Sequence, residues 1–105
     1  MHGVLITFKS ERSADAVAAP FHDYAIELQS VPGLVSKAWL TRGSTMGGFH
    51  VFHDEASARS YLGSALVAEL TSTPGFTDFE VQHFGILDAL SAMTGVHSST
   101  TEVAR

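Results

Sequence analysis

The sequence contains no cysteine. Disulfides, thiolate nucleophiles and cysteine-held zinc or iron–sulfur centres are thereby excluded. Charge is scarce too: Asp, Glu, Lys and Arg make up 16% of the 105 residues, against about 25% in an average soluble domain. The six basic residues are scattered and outnumbered by eleven acidic ones, giving a formal charge of −5. Nucleic-acid binding needs a basic footprint to displace counterions from phosphates, so none is expected. No apolar run reaches the roughly 18 residues of a membrane-spanning helix, and no basic segment leads into an apolar signal core. A cytoplasmic location is the expectation that follows. Six histidines raise the question of a metal. There is no His-x-His or His-x-x-x-His pair, and His50 and His53 would point to opposite faces of a strand. No metal site is expected. Three fingerprints are missing as well: a phosphate-binding glycine loop with its lysine, a dinucleotide-binding turn, and a Gly-x-Ser-x-Gly elbow.

What is present is 45% hydrophobic residues arranged in short periodic segments. Val4–Lys9 alternates, with Val4, Ile6 and Phe8 on one face and Leu5 on the other, as a strand does. Ser13–Gln29 carries Val17, Phe21, Tyr24, Ala25 and Leu28 at helical spacing. Pro20 either kinks this helix or marks where its regular part begins, and Pro32-Gly33 ends the segment. Leu34–Arg42 and Gly48–His53 read as two strands joined by a hairpin loop over Gly43–Gly47. Asp54 stands where a helix N-cap belongs. The helix after it directs Ala58, Tyr61, Leu62, Ala65, Leu66 and Leu70 inward and bends at Gly63. Pro74-Gly75 precedes a fourth strand over Phe79–Ile86. Leu87–Met93 is short enough for one further helix, and Gly95–Arg105 is a polar tail.

The order β-α-β-β-α-β specifies an α+β, ferredoxin-like antiparallel sheet with both helices on one face. A single domain over residues 1–94 is expected, with the tail at 95–105. Because the first strand is apolar on both sides, the second face of the sheet needs a cover. The simplest is the same face of a second subunit, so a homodimer is expected. The low charge content agrees.

Chemistry concentrates between Pro32 and Tyr61. Lys37 and Trp39 share a strand face, where a lysine seeks an anion and an indole N–H seeks a partner. In a pocket, Lys37 would stabilise a phenolate or enolate; at a sheet edge it would only snorkel, with Trp39 as core. His50 is the best proton-transfer residue, since imidazole titrates near neutrality, although a histidine among aromatic residues also serves as plain core. Phe8, Phe52 and Tyr61 are wall candidates. His22 on the first helix and His83 on the last strand are the remaining residues that a cavity between sheet and helices would reach. Whether these side chains meet depends on strand parity across the hairpin.

Three stretches in order carry a resemblance. They are Pro32-Gly33-Leu34 with Ser36-Lys37-Ala38-Trp39, Gly47-Gly48-Phe49-His50-Val51-Phe52, and Asp54-Glu55-Ala56-Ser57-Ala58-Arg59-Ser60-Tyr61-Leu62. The sequence resembles the YdhR-type monooxygenase family through these, over most of residues 30–94. The resemblance implies a homodimeric α+β barrel with a pocket in each subunit. It also implies oxygenation of an aromatic or polyketide-like molecule (a phenol, quinol or anthrone) by molecular oxygen, without metal or flavin. In that frame Lys37 and Trp39 position and polarise the ring, His50 is the base, and Phe8, His22, Phe52, Tyr61 and His83 line the site. The sequence departs from the family pattern at His50, where an aromatic residue, commonly Tyr, is usual. Two other expectations stand beside this one: a cofactor-free cyclase, isomerase or decarboxylase using the same pocket, and a non-catalytic small-molecule binding module.

Overall fold

The computed structural model describes residues 1–97. Four strands, β1 (His2–Ser10), β2 (Leu34–Arg42), β3 (Thr45–Phe52) and β4 (Phe76–Gly85), form one antiparallel sheet in the order β2-β3-β1-β4. Helix α1 (Ala14–Leu28) joins β1 to β2. The second crossover holds two short helices, α2 (Glu55–Leu62) and α3 (Ala65–Thr71), and α4 (Asp88–Met93) follows the last strand. This is the ferredoxin-like α+β arrangement. The tail expected from Gly95 lies, from residue 98 onward, outside the described residues.

Local chemistry explains the boundaries. Ser13 Oγ accepts the Ala16 amide and caps α1. The helix runs through Pro20 without ending. Proline removes the amide that the Ala16 carbonyl would otherwise receive, and Arg12 Nη2 donates to that carbonyl instead, at 3.2 Å. Asp54 Oδ1 accepts the Ser57 amide at 2.8 Å and opens α2, and an Arg59–Glu55 pair spans one turn of it. The bend expected at Gly63 is a complete break, with Ser64 Oγ donating to the Tyr61 carbonyl.

Outside β2, strand limits differ from expectation by one to three residues, most at the starts of β3 and β4. The hairpin loop is two residues long, Gly43 and Ser44, because Met46 and Gly47 extend β3. Met46 fills a core position on the sheet and Gly47 pairs with both Leu40 and Thr7. Strand β4 begins three residues earlier than expected, at Phe76, whose ring is buried against Phe8. A register shift opposite Thr7–Lys9 accompanies the positive φ of Asp78.

Directly opposed residues of antiparallel strands share a face. One face carries Val4, Ile6 and Phe8 with Met46, Gly48, His50 and Phe52, and α1, α2 and α3 cover it. One core cluster there joins Val4, Ile6, Phe52, Tyr24, Leu28, Ala58 and Tyr61. A second joins Phe8, Val17, Met46 and Phe76. The opposite face presents Leu5, Ala38, Leu40, Phe49, Val51 and Phe84. It is apolar as well, and Leu40 and Phe84 are exposed on it. No described helix is long and apolar enough to cross a membrane.

Candidate active site

The register across the hairpin decides which side chains meet. Lys37 pairs with His50 and Trp39 with Gly48, while Val4 pairs with His50 and Ile6 with Gly48. Lys37, Trp39 and His50 therefore stand side by side on the helix-covered face. With Ile6, Phe8, Gly47 and Gly48 below, and Phe21 and Tyr24 of α1 and Leu70 of α3 above, they line a cavity. Its free interior, about 20 Å³, admits a water-sized molecule.

The walls are aromatic. Phe21 lies 5.3 Å from Trp39 between ring centres, and Tyr24 meets Trp39 edge-on at 6.4 Å. The Phe8 ring packs against Phe76 at 4.7 Å and Phe79 at 5.0 Å. Lys37 Nζ sits 3.6 Å from the centre of the Trp39 ring and 5.3 Å from that of Tyr24, a cation–π arrangement. Gly48 makes this possible, because a Cβ there would overlap Lys37 Cε and crowd His50 Cε1.

His50 is 1% exposed. Its Nδ1 is 3.2 Å from the Val4 carbonyl oxygen. A carbonyl only accepts, so Nδ1 carries the proton and Nε2 presents a bare lone pair. That Nε2 is buried with no hydrogen-bond partner among the described residues. Burial, reinforced by the Lys37 charge, lowers the imidazole pKa to about 4. Burial likewise lowers the Lys37 ammonium to about 8. No carboxylate forms an ion pair with Lys37 among the described residues. The site thus holds a neutral base beside a desolvated cation with no carboxylate partner.

The other expected site residues lie elsewhere. Phe52 and Tyr61 form the layer behind His50, with ring centres 6.3 and 5.4 Å from the imidazole. Tyr61 does not line the cavity; its hydroxyl is 2.8 Å from that of Tyr24, which does. Burial raises both phenol pKa values, so both hydroxyls are neutral. The His22 side chain is 75% exposed, turned away beside Asp23. His83 stands at the β4 edge, its Nδ1 2.8 Å from His2 Nε2, outside the cavity. Phe21, Tyr24, Ile6 and Leu70 complete the lining although the sequence marked them only as core. The signal available was the α1 stripe, which carries Phe21 and Tyr24 toward the Lys-x-Trp strand. No group of three or more potential metal ligands exists among the described residues.

Trp39 is 41% exposed and separates the cavity from two surface grooves. One, of about 320 Å³, runs between α1 and the β2 edge and is also lined by Lys37. The other, of about 140 Å³, lies beyond the Phe21 ring.

Comparison with known proteins places this geometry. Residues 4–97 match the family described as "Putative mono-oxygenase ydhR". Among solved structures, NE2512 of Nitrosomonas europaea, a protein of unknown function, is 23% identical with a TM-score of 0.62, over 82% of this chain and 88% of its own. SnoaB, a cofactor-independent oxygenase from Streptomyces nogalater, is 16% identical with a TM-score of 0.66, over 81% and 91%. A point mutant of MhuD, solved with two manganese protoporphyrin IX molecules per active site, is 13% identical with a TM-score of 0.61, over 81% and 94%. At these identities the likeness is one of fold. No curated protein matches the sequence.

Proposed function

Since the chain belongs to the ydhR mono-oxygenase family, we propose that it oxygenates an electron-rich aromatic molecule, a phenol, quinol or anthrone, without a cofactor. The observation that carries this reading is the unpartnered Nε2 of buried His50, set beside Lys37 in an aromatic-walled cavity. An orphaned buried acceptor costs about 1–3 kcal/mol, and a ligand hydroxyl or acidic C–H is what satisfies it. The fold shared with a cofactor-independent oxygenase supports the reading.

The chemistry balances without a further reductant. An anthrone methylene becomes a carbonyl, one atom of O₂ enters the product, and the other leaves as water. The substrate supplies all four electrons. His50 Nε2 takes the proton, and the Lys37 ammonium stabilises the resulting phenolate or enolate. Low basicity of the unliganded imidazole is no obstacle, because the new anion neutralises the imidazolium as it forms. Trp39 and Phe21 hold the ring and exclude water from the carbanion.

A homodimer completes the proposal. Leu40 and Phe84 on the sheet face away from α1–α3, with Leu87, Leu90 and Met93 around α4, are exposed apolar groups of the kind a second copy buries.

Oxygen uptake with a panel of anthrones and hydroquinones tests the reading. We expect one O₂ consumed per substrate molecule oxygenated, insensitive to chelators, and reduced ~100-fold in His50→Phe. Saturable binding with no oxygen uptake would overturn it.

A further inference from the structure

Lys37 has a combination of features that also suits a second chemistry. Its amino group lies on the face of Trp39, in a cavity whose other walls are Ile6, Phe8, Phe21, Tyr24 and Leu70. No carboxylate pairs with it among the described residues. The side chain is nevertheless within reach of solvent, since Lys37 also lines the open groove along the β2 edge. Its cross-strand neighbour is His50, which offers a bare nitrogen lone pair. A desolvated amine with an adjacent proton acceptor is the arrangement that makes a lysine a nucleophile.

We propose that Lys37 is a carbonyl-reactive amine that condenses with aldehydes and ketones entering past Trp39, giving this pocket an oxygen-independent imine chemistry. The neutral Nζ attacks the carbonyl carbon and forms the C–N bond. His50 Nε2 accepts a proton from the attacking nitrogen and returns it to the carbinolamine oxygen; the proton that the ammonium shed to solvent on becoming neutral then returns to that hydroxyl, which departs as water. From the ammonium the balance is R₂C=O plus lysine–NH₃⁺ giving R₂C=NH⁺–lysine plus H₂O. The iminium is an electron sink, so a neighbouring C–H or C–CO₂⁻ bond can release its electron pair into it, as enolisation or decarboxylation requires. The substrate class is an arylacetaldehyde or a β-keto acid bearing a ring. The lowering of the Lys37 pKa by burial acts in the same direction, leaving more free amine at neutral pH.

The chain has two lysines, Lys9 and Lys37, and exposed Lys9 serves as an internal standard. The test is reductive trapping with benzaldehyde and cyanoborohydride under nitrogen, read by peptide mapping as the Lys37 to Lys9 labelling ratio. We expect the ratio in the folded protein to exceed that in the urea-unfolded chain by about tenfold or more, and a Lys37→Arg variant to lose the mapped product. A folded-state ratio at or below the unfolded one overturns the proposal, and needs no variant to fold. Because oxygen is absent, the result is separable from the oxygenase reading: trapping without oxygen uptake leaves the amine chemistry standing alone, and uptake without trapping removes it alone.

Discussion

Val4 lies between two histidines. His50 of β3 and His83 of β4 are its direct cross-strand partners, and all three project from the same face of the sheet. Their surroundings are nonetheless opposite. His50 is 1% exposed under α1 and α2, bound through Nδ1 and orphaned at Nε2. His83 is exposed, as is Val81 two residues before it, and its Nδ1 meets Nε2 of His2. The helical layer explains the difference. It covers β2, β3 and β1, and reaches β4 at Phe76 and Phe79 through Phe8. Beyond Phe79 the strand emerges from the roof. Cover, and not the residue or its strand, turns a histidine into a chemical group.

Acid unfolding sharpens that contrast most. The folded-state pKa of His50 is depressed to about 4 from 6.5. Between those values the unfolded chain takes up the proton and the folded one does not, so stability falls as pH falls. The size is about 3 kcal/mol, at 1.36 kcal/mol per pKa unit. Denaturant melts from pH 7 to pH 4 should show this loss in wild type and in His83→Ala, and a shallower one in His50→Phe, where Asp54 and Glu55, held below the usual carboxylate range by their hydrogen bonds, still contribute. An equal slope in His50→Phe would break the contrast.

The glycines make the next comparison. An alanine Cβ at Gly48 would overlap Lys37 Cε, whereas Gly85 at the far edge has open space. Gly48→Ala should cost about 2 kcal/mol through forced repacking and weaken ligand binding by dislodging Lys37. Gly85→Ala should stay within about 0.5 kcal/mol. Thermal melts of the two variants side by side decide it. The smallest effect expected is at the paired hydroxyls. Tyr61→Phe removes a buried hydrogen bond to Tyr24 and should cost about 1 kcal/mol, while His2→Ala, removing the corresponding contact at the exposed edge, should leave the melting temperature unchanged.

The sequence carried the fold through its periodicities and caps: Ser13, Asp54 and the Pro-Gly stops mark element ends that the structure keeps. It could not carry the hairpin register. With a five-residue loop the relation of Lys37 to His50 is undefined, and only the two-residue turn at Gly43-Ser44 fixes them as partners. Parity placed His83 among the lining candidates, since sequence shows which face a strand residue takes but not how far a helix roof extends. His22 was misleading for a related reason. It neighbours Phe21 in sequence, but one residue turns a helix by about 100°, and that carries the imidazole out to solvent. Phe21 and Tyr24 were visible as a helical stripe. Their second role, as the upper wall of the cavity, comes from Trp39 rising to meet them.

The most direct test of the central claim, that His50 and Lys37 together bind an aromatic acid and take its proton, is an anaerobic titration with a phenol whose phenolate has a separate absorption band. Binding is read from the fluorescence of Trp39, the single tryptophan of the chain, and proton transfer from the band. The account predicts that both signals saturate together at neutral pH, and that in His50→Phe the band disappears while quenching persists. Quenching of the wild-type protein with no phenolate band would contradict it.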